Sequence, residues 1–161
     1  MATAPRKILI AMDGSKHSQY AFDYDHCSSP APPGFMQYFY KDRDEVLIVY
    51  SAEHGRLVCT PIPSTDPTLV AKLAHEEEED IKQLIADLQQ LITNAGIKGR
   101  VLRVSGAKPG ELIVKASEEN KVDMIITGTR GLGSVRRTLM GSVSGYIVHH
   151  SKIPVLVVRG E

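Results

Sequence analysis

The sequence predicts an α/β protein whose core is an open, parallel β-sheet with helices on both faces. Four short runs are almost entirely apolar and rich in β-branched residues, which is typical of strands covered on both sides: Lys7–Met12, Val46–Tyr50, Met124–Thr127 and Val155–Val158. A weaker run, Arg100–Val104, fits a strand near a sheet edge. The segments between these runs are long enough for the helical crossovers that parallel neighbours require.

The clearest helix is predicted to begin at Asp66-Pro67, because Asp66 can cap a first turn and Pro67 fits the first helical position. It should end near Gly96, which is free to take a positive φ. Its apolar residues recur three and four positions apart, mostly as on one helix face: Leu69, Leu73, Ile81, Leu84, Ile85, Leu88, Leu91 and Ile92.

Two later helices are predicted over Pro109–Glu119 and from about Ser142 to His150. Their inward residues should be Leu112, Ile113 and Ala116 in the first helix, and Val143, Ile147 and Val148 in the second.

The first crossover is irregular. A helix should begin at Ser15 or Lys16, but the stretch around residues 27–35 carries three prolines and a glycine, which cannot continue a helix. We therefore expect an exposed, Pro-rich insertion there, and a second loop over Glu53–Thr65.

Length and composition exclude several classes of protein. The 161 residues fit one domain, 1–161, and 19 basic against 19 acidic side chains argue against a nucleic-acid partner held by bulk charge. No run reaches the ~18 apolar residues of a membrane span, and the start of the chain lacks the apolar core of a secretory signal. We expect a cytoplasmic protein with no membrane partner.

Metal sites are not indicated. Cys27 and Cys59 are too far apart for a metal knuckle, and the acidic run His75–Asp80 lacks the second histidine of a zinc helix. That run is typical of a solvated helix face. We assign no metal-ligating and no catalytic residue.

The segment after the fourth strand carries the strongest functional signal. Its glycines would let backbone N–H groups approach an anion, and Gly141-Ser142 falls at a predicted helix start, where free N–H groups would face a phosphate. Arg130 supplies a cation in the same loop. The alternative is a glycine-rich surface loop followed by a helix cap. The loop is not a Walker A motif, because no Gly-Lys-Ser/Thr occurs in the chain.

Asp13 ends the first strand, at the edge where doubly wound sheets bind ligands. A carboxylate there can accept a bond from a ribose hydroxyl or touch a metal through water. The alternative is a helix cap and turn.

The spacing Gly128, Gly131, Gly141-Ser142 reads G-2x-G-9x-G-S, which resembles the ATP-binding branch of the universal stress protein family. The similarity extends over KILIAMDGS, DEVLIVYSAEH, KVDMIITGTRG and SKIPVLVV, and so covers nearly the whole chain. It implies a Rossmann-like, five-stranded parallel sheet of order 3-2-1-4-5 between two helical layers. It also implies a homodimer that pairs the last strand: Val155, Leu156, Val157 and Val158.

The resemblance further implies an ATP site. It places Asp13 near the ribose. The residues it assigns to phosphate or ribose are Gly128, Gly131, Gly141, Ser142 and Val143, and those beside the base are Ala11, Met12, Ser51 and Thr127. The Pro-rich insertion departs from the family pattern and raises the question of whether it covers the cleft.

Three functions remain open at this point. The first is an ATP-binding regulatory module of a stress response, acting as a homodimer. The second is a slow Mg²⁺-dependent ATPase, with Asp13 or Ser142 at the ion; efficient hydrolysis is disfavoured because no positioned base or Walker B carboxylate is recognisable. The third is a dimeric interaction protein that binds no nucleotide.

Overall fold

The computed structural model describes residues 5–12, 40–52, 67–94, 96–129 and 140–158. In chain order its elements are β1 (Lys7–Met12), β2 (Glu45–Ala52), α1 (Pro67–Asn94), β3 (Gly99–Ser105), α2 (Pro109–Glu119), β4 (Met124–Gly128), α3 (Ser142–His150) and β5 (Val155–Val158). The five predicted strands are confirmed, with β2, β3 and β4 slightly longer than their apolar runs. The three later helices are also confirmed.

The five strands form one sheet in the order β3-β2-β1-β4-β5, and every neighbouring pair is parallel. This confirms both the fold class and the strand order. At the centre of the sheet Ala11 lies between Val49 of β2 and Thr127 of β4. The chain moves outward from β1 through β2 to β3 and then returns to β4. The strand order therefore reverses between β1 and β4, which is where open α/β sheets bind ligands.

Both faces of the sheet are buried, as the apolar runs predicted. On one face Ile8, Ile10 and Met12 of β1 pack in a cluster with Leu88 and Ile92 of α1. On the other, alternate residues of the same strands pack against α2 and α3; the members of that cluster are Leu9, Ala11, Leu47, Val49, Ile113, Ala116, Val122, Ile125 and Ile147. Side chains alternate along a strand, so a central strand covered twice must be apolar at nearly every position.

The end of α1 is set by Gly96, which takes φ 67°. Its N–H donates to the Thr93 carbonyl at 3.0 Å, and the Ile97 N–H donates to the Ile92 carbonyl at 3.0 Å. This pair of bonds is the Schellman arrangement, in which glycine at the left-handed position satisfies the last carbonyls of a helix. The predicted stop is confirmed.

Two residues predicted to share the apolar face of α1 are exposed: Leu69 is 40% accessible and Leu91 is 45% accessible. The 28 residues of α1 span about 42 Å, whereas the eight residues of β2 span about 26 Å, so the first turns of α1 reach past the sheet. Leu91 lies roughly 80° around the helix from Ile81, at the margin of the face that meets the sheet.

The prediction that Val148 of α3 points inward was also wrong. Ile147 is fully buried and Val143 packs against the same cluster, but Val148 is 40% exposed. Ser144 is buried in its place, because positions three and four residues before Ile147 share its side of the helix.

Several predictions fall outside the described residues: Asp13, the first helix from Ser15 or Lys16, the Pro-rich insertion at 27–35, the loop Glu53–Thr65, Arg130 and Gly131. None of the helices that the structure describes is both long and apolar enough to cross a membrane.

Candidate functional site

The structure brings several of the predicted site residues to one edge of the sheet. Ala11 and Met12 end β1, and Thr127 and Gly128 end β4, the neighbouring strand, with Ala11 opposite Thr127. Ser51 lies on the other side of β1, two positions beyond Val49, the β2 partner of Ala11. These residues therefore occupy the carboxyl ends of three adjacent strands at the point where the strand order reverses.

Three of these side chains share a face. Ala11 belongs to the cluster beneath α2 and α3, and so do Val49 and Ile125. Because side chains alternate along a strand, Ser51 and Thr127, two positions beyond Val49 and Ile125, lie on that same face. Met12 belongs to the cluster on the opposite side, with α1.

The two hydroxyl groups on this face are poorly satisfied. Ser51 is 3% exposed, and its Oγ has no hydrogen-bond partner among the residues that the structure describes. Thr127 is buried too, and the one acceptor that the described residues offer its Oγ1 is the Gly128 carbonyl at 3.4 Å, beyond the usual distance for such a bond. An unsatisfied buried hydroxyl costs about 1–3 kcal/mol, so a ligand that pairs with it removes a penalty.

The start of α3 is fixed beside the end of β4 by Thr129. The Thr129 N–H donates to the Val158 carbonyl at 2.9 Å, and its own carbonyl accepts the Gly141 N–H at 2.8 Å. The Ser144 hydroxyl donates to the same carbonyl at 3.4 Å. Gly141 then caps the helix with φ −60° and ψ 155°, and no side chain of the described residues caps the first turn.

Among the described residues, no group accepts a hydrogen bond from the first amides of α3. The N–H groups of Ser142, Val143 and Ser144 have no acceptor within the helix, and the positive end of the helix dipole lies there. The Ser142 side chain is exposed beside them. The Gly141 amide is not among these donors, because it already donates to the Thr129 carbonyl at 2.8 Å.

A charged pair near this edge was not predicted from the sequence. Arg103 of β3 lies beside Tyr50 and donates two hydrogen bonds, of 2.6 and 2.8 Å, to Glu78 of α1. These bonds raise the pKa of Arg103 above its ordinary value. Glu78 belongs to the acidic run that resembled a solvated face. The only signal for the pair was a pair of arginines, Arg100 and Arg103, in a short strand.

Lys108, between β3 and α2, is also paired. Its Nζ lies 2.8 Å from Glu111, and this hydrogen bond raises the pKa of the lysine. Over the described parts of the chain, no group of three or more His, Cys, Asp or Glu side chains could hold a metal ion. The described residues at this edge of the sheet therefore offer a ligand backbone amides and hydroxyl groups.

Comparison with known proteins identifies the family to which this chain belongs. The family model described as "Universal stress protein family" matches residues 44–159. Putative universal stress proteins of Staphylococcus aureus are 31% identical over 157 residues, which cover 97% of this chain and 85% of theirs. The chain belongs to the universal stress protein family.

Solved structures of the family share the fold. The universal stress protein UspA of Lactobacillus plantarum superposes with a TM-score of 0.67 at 20% identity, over 98% of this chain and 100% of that one. A universal stress protein family member from Arabidopsis thaliana, solved with AMP bound, gives 0.65 at 15% identity, over 98% and 93% of the two chains. At these identities the likeness concerns the fold.

Proposed function

We propose that this universal stress protein binds ATP at the carboxyl edge of its sheet and acts as a homodimeric, nucleotide-dependent regulatory module in a stress response. The observation that carries the proposal is the end of the glycine signature. Gly128 closes β4 at the strand-order reversal. Gly141-Ser142 opens α3 next to that strand, with three amides that have no acceptor in the described part of the chain. The AMP bound by the Arabidopsis relative supports an adenine nucleotide as ligand.

The phosphates would lie at the start of α3. The amides of residues 142–144 and the Ser142 hydroxyl supply neutral donors, and the helix dipole favours a negative charge. Gly128, Gly131 and Arg130 would complete this end of the site from the preceding loop. Hydrogen bonds to charged groups contribute about 1.5–3 kcal/mol each, so a few such donors give useful affinity.

The base would lie over the strand ends. Ala11, Met12, Ser51 and Thr127 are all buried there, and concave sites for small molecules combine such apolar walls with a few polar groups. Asp13, which follows Met12 directly, would meet the ribose. If Mg²⁺ accompanies ATP, Asp13 or Ser142 would hold it, and the ion would neutralise part of the phosphate charge.

Regulation requires two states that hold ATP unequally. The proposed second state is the dimer formed along β5, whose four residues are only partly buried at the sheet edge. An open edge strand is a ready template for pairing with a second copy.

Isothermal titration of the purified protein with ATP, with and without Mg²⁺, tests the proposal. We expect saturable heat at one nucleotide per chain, and weaker binding of AMP because it lacks the β- and γ-phosphates. Absence of saturable heat at millimolar ATP would overturn it. A phosphate-release assay on the same sample separates binding from hydrolysis: fast turnover abolished by Asp13→Asn would favour the ATPase instead.

A further inference from the structure

The two outer strands of the sheet, β3 and β5, have edges with different surroundings. An edge strand presents unpaired N–H and C=O groups, which form a template for pairing with another chain. In β5 these outward groups belong to Val155 and Val157, because the carbonyls of Pro154 and Val158 accept bonds from β4 and the residue after it. Among the described residues, none forms a hydrogen bond with the outward groups of Val155 and Val157.

The edge of β3, in contrast, is bonded by a side chain of α1. The Val46 N–H donates to the Lys98 carbonyl at 2.8 Å, and with the observed register the even-numbered residues of β3 bond β2. The odd-numbered residues, Val101 and Arg103 among them, therefore direct their backbone groups outward. The Val101 N–H donates to Oε1 of Gln89 at 3.2 Å. A backbone donor near the middle of this seven-residue strand is thus already occupied.

A second link joins β3 to the same helix. Arg103, the next outward residue, donates two hydrogen bonds of 2.6 and 2.8 Å from its side chain to Glu78 of α1. Glu78 and Gln89 lie about 16 Å apart along the helix. Two side-chain contacts therefore fix α1 along the edge strand, and a strand that approached β3 from outside would have to displace Gln89.

The glutamine stands at a position of α1 where the apolar pattern alone would favour an apolar residue. It lies four residues after Ile85 and three before Ile92, both of which pack in the cluster on the sheet. Gln89 itself is half-buried. An apolar side chain at this margin would add buried area but would leave the Val101 N–H without an acceptor, so the glutamine satisfies a backbone group that the sheet cannot satisfy.

We propose that Gln89 limits the assembly of this protein: by accepting the Val101 N–H it prevents β3 from pairing with the β3 strand of a second copy. The part of this inference that concerns β5 rests on the proposed dimer. Identical edges that pair about a two-fold axis form a self-complementary contact, which closes after two copies. A chain with two such edges would join copies alternately through β5 and β3 and would grow without limit. Closing β3 makes the dimer the end point of assembly.

The test compares Gln89→Ala with Gln89→Glu. Alanine removes the acceptor and uncovers the edge while favouring the helix, whereas glutamate keeps the length of the side chain and an acceptor oxygen. In sedimentation velocity we expect Gln89→Ala to form species larger than those of wild type, growing with concentration, and Gln89→Glu to match wild type. Growth of both variants would show that the acceptor is irrelevant. If Gln89→Ala does not fold, Gln89→Leu, which also lacks an acceptor, takes its place.

Hydrogen exchange measured by NMR locates the new contact. In dilute Gln89→Ala the Val101 amide should exchange about three- to tenfold faster than in wild type, as expected for the loss of one hydrogen bond. At concentrations where the variant assembles, the amides of residues 99–105 should become protected. Assembly without protection in these residues would place the contact elsewhere and overturn the proposal.

Val157→Pro, which removes an outward N–H of β5, separates this inference from the proposed dimer. Val157→Pro alone should be a monomer, and the double variant with Gln89→Ala should stop at a dimer joined through β3. If Gln89→Ala keeps the size of wild type at every concentration, the role of Gln89 is wrong whatever β5 does. If Val157→Pro alone remains a dimer, the proposed β5 interface is wrong, and the protection of residues 99–105 in Gln89→Ala still decides the role of Gln89.

Discussion

The Thr129 N–H donates to the carbonyl of Val158 at 2.9 Å, which joins the residue that follows β4 to the last residue of β5. The carbonyl of the same residue accepts the Gly141 N–H at 2.8 Å. One peptide segment thus contacts both the strand proposed for dimerisation and the helix start proposed for phosphate. A shift of Thr129 on ligand binding would therefore move both β5 and the start of α3.

The first prediction follows from this link. If ATP binding and dimerisation both bias Thr129, each must change the affinity of the other by the same factor. We expect the dimer dissociation constant to change about fivefold or more when ATP saturates the protein, as is typical of coupled sites. Sedimentation velocity over a dilution series, with and without ATP, measures it. Unchanged dissociation under saturating ATP would show that the two sites are independent.

The second prediction concerns the outer edge of β5. Carbonyls of Pro154 and Val158 accept bonds from β4 and the residue after it, so the intervening odd-numbered residues, Val155 and Val157, direct their backbone groups away from the sheet. Val157→Pro removes one outward N–H while sparing the ladder to β4, and proline is tolerated on an edge strand. We expect a monomer at concentrations where the wild type is a dimer.

Val157→Thr is the matched control for that substitution, because it keeps both the β-branched shape and the N–H. It should dimerise like wild type in the same sedimentation experiment. A Val157→Pro protein that remained dimeric would place the interface elsewhere.

The third prediction is that Gly141→Val abolishes ATP binding without unfolding the protein. Gly141 has φ −60° and ψ 155°, a conformation open to every residue, so valine adds no backbone strain. Its branched side chain would instead occupy the space through which a phosphate approaches the first amides of α3. Titration should show no saturable heat, while circular dichroism should show an unchanged spectrum. ATP binding at wild-type affinity would remove Gly141 from the site.

The fourth prediction concerns Ser142, the exposed first residue of α3. Ser142→Ala should weaken ATP binding by about 1.5–3 kcal/mol, as expected when one hydroxyl bond to a charged group is lost. Stability should be unchanged or slightly higher, because alanine is the better helix former. Lys152→Ala, at a surface residue paired with Glu118 away from the site, serves as control and should leave ATP affinity unaltered.

The fifth prediction compares two helical glycines that differ in the space available for an added Cβ. A Cβ at Gly110 would lie 2.9 Å from the Cβ of Tyr146, so α2 and α3 pack too closely for alanine there. Gly110→Ala should cost about 1–3 kcal/mol as the helices are forced apart. At Gly145 the nearest atom to an added Cβ is 3.9 Å away, and Gly145→Ala should gain about 0.5–1 kcal/mol from helix propensity. Urea denaturation of both variants checks the two signs.

The elements of this protein were readable from its sequence because their signals are local. Proline at residues 67 and 109 and glycine at residue 96 restrict or free the backbone where they stand, and the doubly covered strands are apolar whatever packs on them. The glycine spacing from residue 128 to residue 142 was equally clear. It indicated the family, and the family implied the strand order.

Tertiary structure decided which of these residues meet one another. Val148 and Leu69 fit the apolar patterns of their helices and yet are exposed. Val148 lies on a side of α3 turned away from Ile147, and Leu69 lies in the part of α1 that extends beyond the sheet. The sequence suggested the amide of Gly141 as a phosphate donor, but in the structure this amide donates to the Thr129 carbonyl. Ser51 is an ordinary serine in the sequence; only the packing of two layers around β2 leaves its hydroxyl buried without a partner among the described residues. Periodicity fixes the direction of a side chain relative to its own backbone, whereas burial and pairing depend on segments far away in the chain.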